Sequence, residues 1–299
     1  RLAVGTIAAG GALGILIPPS IIMIIFGSVA EISIGQLFMA GMIPGVILTV
    51  IFIGYIGIKS YLTPNYAPPV PLSERVGWRE KFRLLTRLVP ATFIVMLVLG
   101  SIYLGICTPT EAAGIGALGS LLVAAGMKRL TWSNFFQALQ HTMNLTAMIL
   151  WITIGAVSFT LLVTVTGISD WFREAVIGLE LNRWVILLGI QVVYIIMGCF
   201  LDPVGIIMIT TPVFLPLISA LGFDLLWYGL LFVITMEMAY ITPPFGFNLF
   251  VLRGIMPRSI TIIDIYKGII PFVICQILCL GIMIAFPDLV TWLPRLLIK

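Results

Sequence analysis

Long apolar stretches fill this chain, at residues 2–30, 35–58, 88–107, 110–127, 143–168, 184–221, 225–252 and 260–286. A helix needs about 20 mostly apolar residues to cross the hydrocarbon core of a bilayer, and here one such stretch follows another. Only 9% of the 299 residues are charged and 61% are hydrophobic, whereas soluble domains carry about 25% charged residues. So few charges cannot coat a soluble surface of this size, which excludes a soluble globular enzyme. The same apolarity excludes a disordered chain. The expected class is all-α, a polytopic membrane protein.

Three stretches are too long or too broken for one plain helix. The first is cut by Pro18-Pro19, and 225–252 is cut by Pro243-Pro244. The stretch 184–221 holds Asp202-Pro203, Pro212 and Pro216 and is nearly twice a single span. A proline inside a helix removes a backbone hydrogen bond and clashes with the preceding turn. Backbone freed in this way survives at membrane depth only when it is buried in protein or lines a polar cavity. Two discontinuous helices and a re-entrant hairpin over 184–221 are therefore expected.

Charge placement orients the chain. Segment 59–90 holds Lys59, Arg75, Arg79, Lys81, Arg83 and Arg87 against Glu74 and Glu80, so the whole net charge of +4 resides there. The positive-inside rule makes this loop cytoplasmic. Counting spans from it leaves the amphipathic stretch 166–182 outside and returns Arg253, Arg258 and Lys267 to the inside. Treating 184–221 as two full spans would keep the same parity. Its proline content and Asp-Pro tip favour the hairpin.

The two breaks also resemble each other. ILIPPS at 15–20 matches YITPPF at 240–245. From the second proline of each pair, Pro44 follows after 25 residues and Pro271 after 27, and each is preceded three residues earlier by a glycine, Gly41 or Gly268. The charge count runs the first broken helix outward and the second inward. Inverted repeats with discontinuous helices are a plan of secondary transporters, with the site near the midplane. On this reading 1–58 is the end of a first repeat, 59–87 the basic loop and 88–299 a second repeat. The first repeat then lacks more than one hundred residues before Arg1, so an N-terminally truncated chain is expected.

Helix ends exposed at each break suit ions: N-terminal dipoles and free N–H groups attract a carboxylate, and free carbonyls attract Na⁺. The candidates are Gly14, Pro18, Pro19 and Ser20 at the first break and Thr242, Pro243, Pro244, Gly246 and Asn248 at the second. Their hydroxyl, amide and backbone oxygens are hard ligands, right for an alkali cation and wrong for zinc. Acidic residues in apolar runs are functional candidates. Asp202, at the hairpin tip after Gly198, either ligates Na⁺ or caps the second helix of the hairpin. Thr210 and Thr211 lie two turns on and either face the cavity or bond back to their helix. Glu237 is a proton or cation site or a buried structural residue. Glu111, after Pro109, reads as a helix start.

Other chemistries find little support. Cys107, Cys199, Cys275 and Cys279 read as buried thiols, and His141 is the single histidine. An intramembrane aspartyl protease needs two facing aspartates and a GxGD motif, and a rhomboid-type protease needs GxS with a helical histidine; neither pattern is present. No enzyme activity, no cofactor and no metal beyond Na⁺ are expected.

AAGGALGILIPPSIIMIIFG, GICTPTEAAGIGALGS, FLDPVGIIMITTPVFLPL and EMAYITPPFGFNLFVLRGI together resemble the large membrane subunit of tripartite ATP-independent periplasmic (TRAP) transporters. The resemblance runs through nearly the whole chain, in order. It implies a multi-pass importer of the bacterial inner membrane, driven by the sodium gradient. A periplasmic binding protein would deliver an organic acid, and a small four-helix membrane subunit would support the large one. The partners implied are these two proteins and the lipid bilayer, with no nucleic acid. The resemblance also implies an elevator-type fold, in which hairpins and broken helices move against a scaffold. Its ion-site motifs fall on Gly14 to Ser20, Gly198 to Asp202 and Thr242 to Asn248. The family's first hairpin, with its Gly-Ser-Ser stretch, is absent here, so this segment alone should not transport. The runner-up is a sodium-coupled dicarboxylate transporter that works without a binding protein.

Overall fold

The structure, a computed structural model, describes residues 2–63, 71, 77–243, 246–257 and 260–297. All regular structure among them is helical. The first stretch forms α1 (Leu2–Leu16) and α2 (Ile21–Val29), and the next forms α3 (Ile34–Leu62). Then come α4 (Trp78–Leu85), a 3-10 turn at Thr86–Leu88, α5 (Val89–Tyr103), α6 (Pro109–Gly126), α7 (Trp132–Val165) and α8 (Ile168–Ile177). The 184–221 stretch is a helix pair, α9 (Arg183–Gly198) and α10 (Pro203–Ala220). The second interrupted stretch gives α11 (Leu225–Ala239) and α12 (Phe247–Ile255), followed by α13 (Ile262–Ala285) and α14 (Asp288–Leu297). Counting α1–α2 as one and α4–α5 as one, six helices among the described residues are long and apolar enough to cross a membrane, and α9 and α11 are shorter apolar helices. The protein is an all-α, multi-pass membrane protein.

The chain divides into two compact units, Pro68–Leu150 on one hand and Arg1–Ala67 with Trp151–Lys299 on the other. In the smaller unit α5 packs on α6. The small face of α6 makes this possible, because Gly116 and Gly119 lie under Val98 and Leu97 of α5. Thr108 and Glu111 form a reciprocal capping box at the start of α6, with the Thr108 N–H donating to Glu111 Oε2 at 2.8 Å. Glu111 thus has the structural role expected of it.

The larger unit is built around α11. This helix is apolar on every side, which marks a core helix, and every residue from Trp227 to Ala239 is buried. Helices α1, α2, α3, α9, α10, α13 and α14 pack on it. Lipid tails are as apolar as leucine, so close packing rather than escape from water holds such helices together. Tyr194 of α9 meets Phe232 edge-to-face at 4.8 Å, and Phe26 of α2 stacks on Phe232 at 5.2 Å. Gly5 of α1 lies so close to α13 that a Cβ there would sit 2.3 Å from the Gly268 carbonyl. The outer face of α3 leaves Val46, Val50, Ile53 and Ile58 exposed, as a lipid-facing surface would.

Two elements differ from the sequence expectation. Helix α7 begins at Trp132, eleven residues before the apolar stretch 143–168. No proline or glycine interrupts residues 132–154, and Thr131 and Asn134 tie down the start: the Asn134 N–H donates to Thr131 Oγ1 at 3.2 Å and its amide to the Arg129 carbonyl at 2.9 Å. Helix α14 follows the last apolar stretch and packs along α3. Its amphipathic sequence, with Asp288 and Arg295 among apolar residues, is too short and too charged to read as a span.

Candidate functional site

Each break follows from the prolines. Pro18 and Pro19 have no N–H to give to the carbonyls of Gly14 and Ile15, and the last helical bond of α1 runs from Ile17 N–H to the Leu13 carbonyl at 3.0 Å. The Pro18-Pro19 peptide is cis. Ser20 then caps α2, its Oγ accepting from the Met23 N–H at 3.5 Å. Ser20 and Pro18 are buried, whereas Gly14 and Pro19 are exposed.

The second break is longer. Helix α11 tightens at its end, with the N–H groups of Ile241 and Thr242 donating to the carbonyls of Met238 and Ala239. The Thr242 hydroxyl turns back to the Met238 carbonyl at 2.7 Å. Gly246 has a positive φ of 41° and opens α12. The Asn248 N–H reaches back across the break to the Tyr240 carbonyl at 3.2 Å. Pro244 lies outside the described residues.

The turn between α9 and α10 meets this second break. Gly198, Cys199, Phe200, Leu201, Asp202 and Pro203 line a cavity of about 310 Å³ together with Met236, Ala239, Tyr240 and Phe250. The Cys199 thiol approaches the Pro243 carbonyl at 3.9 Å. Gly198 has to be glycine here, because a Cβ would lie 2.4 Å from the Ala239 Cβ. Asp202 is exposed and caps α10, its Oδ2 accepting from the Val204 N–H at 2.9 Å. Tyr240 lines the same cavity near this carboxylate. The capping role is therefore present, and Asp202 also lines the cavity.

The other candidates lie elsewhere in the larger unit. Asn248 lines a groove between α12 and α1, opposite Ile7, Ala8 and Gly11. Thr211 lines a third cavity with Val29, Thr160 and Ser219. Its hydroxyl is buried without a hydrogen-bond partner among the described residues. Thr210 takes the other option, donating to the Ile206 carbonyl at 2.7 Å and lying 3.4 Å from the Tyr194 hydroxyl. The structure thus brings Gly198 and Asp202 against the second break, and it separates them from Asn248 and Thr211. Tyr240 and Cys199 are site residues that the sequence reading passed over. The signal available was a hydroxyl three residues before the proline pair; nothing in the spacing joins Tyr240 to Asp202, 38 positions earlier. Among the described residues no cluster of three metal-ligating side chains occurs.

Comparison with known proteins gives a consistent result. Residues 1–289 match the family model described as "Tripartite ATP-independent periplasmic transporter, DctM component". The chain is 34% identical over 293 residues to the C4-dicarboxylate TRAP transporter large permease protein DctM of Pseudomonas aeruginosa, covering 97% of this chain and 65% of that protein. It is 32% identical over 285 residues to the ectoine TRAP transporter large permease protein TeaC of Halomonas elongata, covering 95% and 65%. With the sialic acid TRAP transporter large permease protein SiaM of Vibrio cholerae it shares 28% identity over 297 residues, covering 98% and 67%. The chain spans about two thirds of the length of these relatives.

Proposed function

This chain belongs to the DctM component family of tripartite ATP-independent periplasmic transporters, and from that premise we propose that it is part of a sodium-coupled importer of organic acids. The substrate would be a C4-dicarboxylate or a related carboxylate, delivered by a periplasmic binding protein. A small membrane subunit would complete the transporter in the bacterial inner membrane. Relatives named for C4-dicarboxylate, ectoine and sialic acid show that the substrate varies within the family. Membership of a tripartite family favours this reading over a carrier that works without a binding protein.

The observation that carries the proposal is the cavity where the α9–α10 tip meets the second break. It joins a carboxylate, Asp202, with a tyrosine hydroxyl and the backbone of an interrupted helix. Oxygen donors of this kind suit a hard monovalent cation, and irregular backbone at membrane depth is tolerated where it lines such a cavity. In the proposal Gly198, Asp202, Thr242, Pro243, Pro244 and Gly246 serve one ion site. Gly14, Pro18, Pro19, Ser20 and Thr211, with Asn248 in its groove against α1, serve a second ion site and the substrate. The matched breaks would be halves of an inverted repeat. Both breaks and the helix pair fall in one compact unit, as an elevator that moves as one body requires.

The test is uptake by the full-length transporter, with its small subunit and binding protein, in proteoliposomes. A panel of carboxylates is offered with an inward sodium gradient or with potassium in its place. The proposal expects accumulation of at least one organic acid with sodium alone. Equal accumulation in both media removes sodium coupling.

A further inference from the structure

Among the described residues, one carboxyl group lies wholly inside the larger unit. Glu237 of α11 is 0% exposed, and neither of its oxygens has a hydrogen-bond partner among the described residues. The side chain that approaches it is Gln276 of α13. Gln276 is also 0% exposed, and neither its amide oxygen nor its amide nitrogen is otherwise bonded. Four buried polar atoms on two packed helices therefore lack partners at one place.

Among the described residues no cation answers the carboxyl. Helices α1, α2 and α10 carry no charged side chain. The charged groups of α3, α9, α13 and α14 that pack around α11 are Lys59, Arg183, Asp264, Lys267, Asp288 and Arg295, all within the first two or the last turns of their helices. The titratable group that faces Glu237 is Cys279, one turn beyond Gln276, and its thiol points to the Pro44 carbonyl at 3.9 Å.

Donor and acceptor arithmetic then decides the state of the pair. An ionised carboxylate only accepts, and a glutamine amide offers N–H donors and one acceptor oxygen. With Glu237 ionised, the Gln276 oxygen is left facing acceptors, and an unpaired charge is buried, which is very costly. One added proton resolves both. The carboxyl O–H donates to the Gln276 Oε1, and the Gln276 Nε2–H donates to the other carboxyl oxygen. We infer that Glu237 and Gln276 form a proton-binding site in the core, a neutral acid joined reciprocally to an amide across the α11–α13 seam. Sodium is a poorer occupant, since two carboxyl oxygens and one amide oxygen fall short of the six or so hard ligands such an ion takes in protein cages. The site stands one turn before Tyr240, where α11 ends, so the proton closes the seam beside the second break. This inference is independent of which ion drives transport.

Infrared spectroscopy of the purified full-length transporter in lipid, at neutral pH, tests it. Subtracting Glu237→Gln from wild type should reveal a lost C=O band of a protonated carboxyl that shifts in heavy water. Gln276→Leu should move that band to higher frequency, as loss of its hydrogen bonds requires, and adding sodium should leave the wild-type band in place. Glu237→Gln keeps one donor and one acceptor, so its melting temperature should match wild type, whereas Glu237→Met should melt lower. The inference is overturned if the difference spectrum shows the paired bands of an ionised carboxylate, or if sodium replaces the protonated band by them. A band unmoved in Gln276→Leu overturns the pairing even if Glu237→Gln does not fold.

Discussion

Two helices of this molecule are interrupted by the same dipeptide, Pro-Pro, and the interruptions are finished differently. The first is short: α1 ends at Leu16, and Ser20 already caps α2. Its freed backbone is packed against α3, where a Cβ on Gly41 would lie 2.8 Å from the Leu16 carbonyl. The second leaves a gap from Tyr240 to Gly246, spanned among the described residues by a backbone bond from Asn248 to Tyr240. Its neighbour is the α9–α10 tip, and a cavity lies between them. Proline chemistry dictates that each helix stops. What stands in the gap is set by the element packed beside it: a glycine-bearing helix face closes one, and a tip that carries a carboxylate leaves a cavity beside the other.

The sharpest way to break this comparison is Asp202→Asn. Asparagine caps a helix about as well as aspartate, so α10 should survive while the negative charge is lost. Sodium-driven uptake by the full-length transporter should fall to background at matched expression, and normal uptake would reduce Asp202 to a cap. Gly198→Ala comes next. Its methyl collides with the Ala239 Cβ, and overpacking of this kind costs about 1–3 kcal/mol. A lower melting temperature and weaker uptake are expected; a wild-type melting temperature would show that the tip yields freely. Asn248→Ala should raise the sodium concentration for half-maximal uptake roughly three- to tenfold, the loss of one contact of about 0.5–1.5 kcal/mol. An unchanged sodium dependence would assign Asn248 to the α1–α12 packing alone. Smallest is Ser20→Ala, which removes a cap at about 1 kcal/mol. Ser20→Asn should restore the melting temperature, and failure to do so would show that the hydroxyl does more than cap.

Local chemistry was readable in the sequence and tertiary contact was not. The breaks at Pro18-Pro19 and Pro243-Pro244, the turn at Asp202-Pro203 and the Thr108–Glu111 start of α6 each depend on a few neighbouring residues, and the structure has helix ends at all of them. The start of α7 was missed because its first turns are polar enough to suggest an interface, although nothing there stops a helix. The partners of Asp202 and Glu237 were out of reach for another reason. Tyr240 and Gln276 are 38 and 39 positions away, and helix periodicity says which face a residue occupies, not which helix lies opposite. Uncharged polar residues inside apolar runs, Gln191 and Gln276 among them, were a usable signal that attention to charge alone overlooked. Burial has made both of them part of the core.

The account rests on the second break and the hairpin tip forming one cation site. Equilibrium binding of radioactive sodium to the purified full-length transporter, without substrate, measures that directly. Wild type should bind sodium saturably, and Asp202→Asn should lose a whole equivalent of that binding while Thr108→Ala, which removes a helix cap in the other unit, keeps it in the same preparation. Equal sodium binding by wild type and Asp202→Asn would contradict the account.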